Sequence, residues 1–164
     1  EVHWMLLGES LANGQQLYQD VWDFSGPLAA NVYWFIHEVV GRSPLTLHFL
    51  ALGLVFYQAA IFNIVLVQRD VFNENTYIPA LLYVIFMSLS FDFFTLSPAL
   101  MATTFLLQTA HQLFSLSDRQ TSDPRIFKMG LYLGIASMLY LPAFLFFIMV
   151  FLGLASSSFK WTAD

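Results

Sequence analysis

The chain has 164 residues, 58% of them hydrophobic, 18% aromatic and only 10% charged, with a mean hydropathy of +0.66. Soluble domains run to roughly 45–50% apolar and about 25% charged, so this composition excludes an ordinary soluble domain and points to an integral membrane protein. A net charge of −5 with no basic patch offers nothing to nucleic acid, and zero cysteines exclude disulfides, thiolate metal sites and a cysteine nucleophile. The opening Glu1, with no basic region and small-residue cleavage site behind it, reads as the edge of a fragment of a longer protein.

Residues 1–44 form an acidic, aromatic segment that holds five of the eleven carboxylates: Glu1, Glu9, Asp20, Asp23 and Glu38. It breaks at Gly14, at Ser25-Gly26-Pro27 and at Gly41, which predicts two short helices around a tight loop. From His3 to Asn13, helical spacing gathers Trp4, Leu7 and Leu11 opposite Glu9, Ser10 and Asn13, with Gly14 as the stop. Pro27 suits a first helical position, after which Leu28, Val32, Phe35, Ile36 and Val39 line a face opposite Asn31, Trp34 and Glu38. That pattern fits an amphipathic helix at a membrane interface, or one that packs on a bundle as a lid.

Leu45 to Val67 is a run of 23 residues without a formal charge, long enough at about 1.5 Å per residue to cross a hydrocarbon core of roughly 30 Å. Its polar interruptions, His48, Gln58 and Asn63, are expected to face other helices, because an unpaired amide or imidazole is costly in lipid. A polar turn (Arg69, Asp70, Asn73, Glu74, Asn75) follows. Two shorter apolar helices are then expected at 77–91 and 98–114, with Pro79 and Pro98 in their first turns. A second polar link runs from Ser115 to Arg125 and holds Arg119, Asp123 and Arg125, with Lys128 just beyond. Residues 126–155 exceed one straight span, and Leu141-Pro142 divides them into two short helices or bends one long one.

The expected fold is therefore all-α: a polytopic transmembrane bundle of about four or five membrane helices at 45–164, preceded by the two-helix outer loop at 1–44. Placing Arg69, Arg119, Arg125 and Lys128 inside leaves Arg42 as the one cation of the outer segment, so residues 1–44 are expected on the periplasmic side of a bacterial inner membrane.

The first segment also carries a resemblance. Glu1-x-x-Trp4-x-x-x-Gly8-Glu9-x-Leu11-x-x-Gly14-x-x-x-Tyr18-x-Asp20-x-Trp22-Asp23-x-x-Gly26-Pro27-Leu28, followed by a helix ending in Gly41-x-Ser43 and a membrane run, is similar to the first outer loop of GT-C membrane glycosyltransferases. Gly134 to Pro142 (GIASMLYLP) resembles the glycine-rich jointed helix pair of that superfamily, and residues 75–100 resemble an uncharacterised bacterial inner-membrane family with the same layout. The resemblance implies transfer of a sugar from a polyprenyl-phosphate carrier, with a loop carboxylate as general base. Glu1, Asp20 and Asp23 stand at its acidic positions, and Tyr18, Trp22 and Arg42 form the implied substrate-binding set. The family's paired acids are cut at the chain's edge, and a sugar-phosphate leaving group wants a cation or metal where only Arg42 stands.

Read without the family, acids beside Tyr18 and Trp22 fit either a general base in a half-desolvated interface or solvated turn formers. Glu9 and Glu38 fit a solvated helix face. The four histidines (His3, His37, His48, His111) show no i, i+3 or i, i+4 pair, so no divalent-metal cofactor is supported. The phenylalanine-rich helices fit lipid-facing packing or a groove for a polyprenyl chain. Two functions follow: a lipid-carrier-dependent glycosyltransferase, or a non-catalytic membrane subunit whose outer loop docks other subunits of a complex. In both, membrane lipids are partners.

Overall fold

The structure, a computed structural model, describes residues 2–20, 25–68, 76–89, 94–115 and 123–161. Among them are seven α-helices and no strand: α1 (Val2–Ala12), α2 (Pro27–Val40), α3 (Pro44–Val67), α4 (Ile78–Ser88), α5 (Pro98–Ser115), α6 (Asp123–Leu139) and α7 (Phe146–Trp161), with a 3-10 turn, Leu141–Leu145, between the last two. The all-helical expectation holds. Of these helices one, α3, is long and apolar enough to cross a membrane; α4 and the stretch Leu141–Gly153 are apolar but shorter.

The prolines explain where the helices start. All six (Pro27, Pro44, Pro79, Pro98, Pro124, Pro142) lie in the first turn of a helical element, where a missing N–H costs no intrahelical bond. Pro142 thereby divides 126–155 into two elements. Helix α6 ends at Leu139, Tyr140 is extended (φ −143°, ψ 109°), and the chain restarts in the 3-10 turn.

Helix α3 lies between α4 and α5, α5 packs along α6, and the α1–α2 hairpin closes on α6. The largest core cluster unites the hairpin with that end of the bundle: Leu7, Ala29, Ala30 and Tyr33 meet Leu47, Leu96, Met101, Ala102, Ala136, Leu139 and Ala143. Small residues allow the close approach. A Cβ on Gly8 would stand 2.7 Å from the Tyr33 carbonyl oxygen, so α1 and α2 cross at glycine. The buried face of α2 is consequently Ala29, Ala30 and Tyr33, while Phe35 and Val39, part of the apolar face marked by spacing, are exposed. The two alanines let α2 sit against its neighbours, and the Tyr33 ring stacks on Trp4 (centroids 5.5 Å apart) and donates its hydroxyl to the Leu96 carbonyl at 2.6 Å.

A polar knot ties the middle of the bundle. Gln58 on α3 is completely buried, donates through Nε2 to the Leu100 carbonyl (2.8 Å) and Thr104 Oγ1 (2.7 Å), and accepts the Tyr83 hydroxyl on Oε1 (2.8 Å). One amide thus joins α3, α4 and α5. His48 is partly buried and its Nδ1 lies 2.8 Å from the Phe94 carbonyl, so the imidazole in this apolar run has a partner. Asn63 follows only in part: its Oδ1 is shut off from solvent and accepts no hydrogen bond.

The outside of the bundle is apolar. On α3, Leu45, Phe49, Leu52, Phe56 and Ile64 form a stripe that no described residue covers. Leu81, Ile85 and Phe86 on α4 are likewise exposed, as are Phe144, Leu145, Ile148, Phe151 and Leu152 at the 3-10 turn and α7.

Candidate functional site

The candidate site of the sequence is the outer segment, and its local geometry begins where α1 stops. Gly14 takes φ 85°, and the Gly14 and Gln15 N–H groups turn back onto the Leu11 (3.1 Å) and Ser10 (3.1 Å) carbonyls. This is a Schellman stop, which needs a left-handed residue just past the helix end. The chain then makes a tight turn at 16–20. The Gln16 N–H donates to Asp20 Oδ2 at 2.9 Å while the Asp20 N–H donates to the Gln16 carbonyl at 3.0 Å, so the carboxylate closes the turn that carries it. Tyr18, at the apex, holds φ 69°, a left-handed conformation that strains a non-glycine residue. Its hydroxyl reaches the carbonyl of buried Ser25 at 2.6 Å, which secures the turn to the start of α2.

Asp20 is thus exposed, oriented by one backbone N–H and mounted on a turn tied to the bundle. Glu1, Trp22 and Asp23, the other acids and the aromatic residue assigned to the site by sequence, lie outside the described residues. Arg42 sits between α2 and α3, after Gly41, whose φ of 73° turns the chain from one helix into the next. The Arg42 side chain is half-exposed, and its guanidinium stands 3.5 Å from Glu9 Oε2. No ion pair joins Arg42 to Asp20 among the described residues.

Glu9 is more than a third exposed, as a residue on a solvated helix face should be, but one of its oxygens turns inward. Its Oε2 is closed to solvent and makes no hydrogen bond, so Arg42 is its electrostatic partner across the hairpin. Spacing could not reveal this, because Glu9 and Arg42 meet only when the hairpin closes at Gly8. Sequence reading also missed Tyr33, whose hydroxyl bond to Leu96 spans 63 residues. Its one signal was helical spacing, which sets Tyr33 one turn after Ala29 and Ala30.

At the opposite end of α3 a cavity of about 420 Å³ is lined by Asn63, Ile64, Val67, Gln68, Thr76 and Tyr77. His111 Nε2 lies 3.3 Å from Gln68 Oε1 nearby. No cluster of three or more histidine or carboxylate groups able to hold a metal occurs among the described residues. Compared with known proteins, the chain matches no family model, no curated protein and no solved structure.

Proposed function

We propose that the chain is the outer loop and following membrane helices of a GT-C-like glycosyltransferase that takes a polyprenyl-phosphate-linked sugar at the outer face of a bacterial inner membrane. The observation that carries the reading is Asp20, an exposed carboxylate aimed by the Gln16 N–H on a turn tied to the end of a bundle with apolar flanks. Such flanks favour lipid. In water, each of Phe49, Phe56, Phe144 and Phe151 would forfeit on the order of 1.5–3 kcal/mol of available burial, whereas hydrocarbon solvates them without penalty. The hydroxyls also suit that solvent: Thr103, Thr109 and Ser137 donate to carbonyls one turn back, and none depends on water. In this reading Asp20 is the described candidate base, Glu1 and Asp23 are its alternatives, and Tyr18 holds the turn.

The test is turnover of a polyprenyl-phosphate sugar by Asp20→Asn and Asp23→Asn against Glu38→Gln, each in protein shown to insert and fold. Loss of a general base lowers the rate on the order of 10²–10⁴-fold. Equal, small effects at all three positions defeat the catalytic reading. Orientation is tested separately with an impermeant thiol reagent in spheroplasts. Labelling of Gln16→Cys and not of Gln120→Cys fits a periplasmic outer segment, and the reverse overturns it.

A second reading, a non-catalytic membrane subunit, draws support from Arg42. The described outer segment offers a departing phosphate one cation, Arg42, and its guanidinium faces Glu9. Retained assembly with other membrane subunits in the Asp20→Asn and Asp23→Asn variants, without any transferase activity in the parent, decides for it.

A further inference from the structure

The end of α6 has an unusual hydrogen-bond pattern. In a continuous helix the Met138 carbonyl would accept from residue 142 and the Leu139 carbonyl from residue 143. Residue 142 is proline and has no N–H to give. The Ala143 N–H donates instead to the Tyr140 carbonyl at 2.9 Å, inside the 3-10 turn, and the Tyr140 N–H makes the last regular bond, to the Ala136 carbonyl at 2.9 Å. The Leu139 carbonyl is released from helix pairing by the joint itself.

That carbonyl accepts the N–H of Gly26, at 3.2 Å. The approach is so close that a Cβ on Gly26 would overlap the Met138 carbonyl oxygen and stand 2.7 Å from the Met138 carbonyl carbon and 2.8 Å from that of Leu139. Gly26 has φ −65° and ψ 154°, values open to any residue, so it is contact and not backbone angle that demands glycine here. Gly26 is also the residue before α2, and its neighbour Ser25 receives the Tyr18 hydroxyl. The turn that carries Asp20 is therefore two hydrogen bonds from the α6–α7 joint.

We infer that the outer turn and the α6–α7 joint form one mechanical unit, in which the Gly26 clasp on Leu139 holds the joint bent and displacement of the turn redirects α7. The joint has two arrangements that compete for the Leu139 carbonyl. In the bent one it belongs to Gly26; in a straightened one it returns to Ala143. Whatever draws the turn outward favours straightening, and by linkage whatever straightens the joint frees the turn. Over 146–153 helix α7 meets α5 where Gly153 faces the Leu113 side chain, while Phe146, Ile148, Met149, Phe151 and Leu152 are exposed, so this part of α7 has room to swing. The inference does not depend on the reaction proposed above.

The chain has no cysteine, so introduced thiols report without background. Ser25→Cys, at a buried position beside the clasp, reads release of the turn through its rate of modification by a small thiol reagent. Spin labels at Ala60→Cys on α3 and Met149→Cys on α7 read the direction of α7. Pro142→Ala, which supplies the missing N–H, is expected to raise modification of the thiol at position 25 about tenfold, the change given by loss of about one backbone hydrogen bond. Gly26→Ala is expected to shift or broaden the 60–149 distance by about 5 Å, one helical pitch. Tyr18→Phe, which keeps the ring and removes only the tether, is expected to do the same more weakly, and it decides the matter if Gly26→Ala does not fold. Thiol reactivity at position 25 that stays within twofold of the parent when Pro142→Ala is added, or an unchanged 60–149 distance in both loop variants, overturns the coupling.

Discussion

Replacing Gln58 with leucine should be among the most destabilising single changes in the bundle. The side chain is completely buried and makes three hydrogen bonds, two donated to α5 and one accepted from Tyr83 on α4. Side-chain bonds between helices in a membrane average about 0.6 kcal/mol and reach about 1.7, so three give roughly 2 kcal/mol. Leucine fills most of the space but leaves the Tyr83 hydroxyl without an acceptor, which adds about 1–3 kcal/mol. The expected loss is about 3–5 kcal/mol. Tyr83→Phe alone strands only the Gln58 carbonyl oxygen and should cost about 1–2 kcal/mol. Most informative is the double variant: with no hydroxyl left to strand, Gln58→Leu with Tyr83→Phe should be no less stable than Gln58→Leu alone, a coupling of about 1–2 kcal/mol. Equilibrium unfolding in mixed micelles, read by tryptophan fluorescence, measures all three. Costs that add, or a Gln58→Leu protein as stable as the parent, would show that the three-helix contact is held by apolar packing and not by the amide.

Gly8→Ala should lower stability by about 1–3 kcal/mol through overpacking against the Tyr33 backbone, while Gly53→Ala, in the interior of α3 where a methyl meets open space, should raise it by about 0.5–1 kcal/mol in the same unfolding measurement. Tyr33→Phe should cost about 1 kcal/mol by removing the bond to Leu96, and should loosen the hairpin before the rest of the bundle in hydrogen exchange. Arg42→Ala and Glu9→Gln should each cost less than about 1 kcal/mol, because Arg42 is half-exposed and the pair is screened; a larger loss in thermal unfolding would assign the pair a structural role. In bilayers with brominated lipid, tryptophan placed at Phe49 should be strongly quenched and at Ala51 hardly at all, and equal quenching would refute the lipid-facing stripe.

Local signals were the legible ones. Pro27, Pro79, Pro98 and Pro142 each announced a helix start within a residue or two, and Gly14 announced the end of α1, because proline and glycine act through their own backbone. The inward turn of Gln58 was legible for a similar reason: an amide in a 23-residue apolar run has few places to go. What stayed hidden depended on partners distant in sequence. Spacing marked an apolar face of α2 that includes Phe35 and Val39, but the face that packs inward is selected by Ala29, Ala30 and Tyr33 meeting α1 and Leu96. At the candidate site, the sequence marked Asp20 and Arg42 as neighbours in one segment; the fold gives Asp20 to its own turn and Arg42 to Glu9. Neither pairing follows from charge alone.

The bond from Tyr33 to Leu96 sets a timetable for biosynthesis. At a synthesis rate of about 5–20 residues per second, the 63 residues between them take roughly 3–13 s, and the α6 carbonyl that receives Gly26 comes later still. Throughout that interval the α1–α2 hairpin exists without its seat, and the Ala29, Ala30 and Tyr33 face is open to other partners. A chain stalled before α5 would present that face indefinitely, which makes the hairpin a natural point for quality control to distinguish finished protein from unfinished.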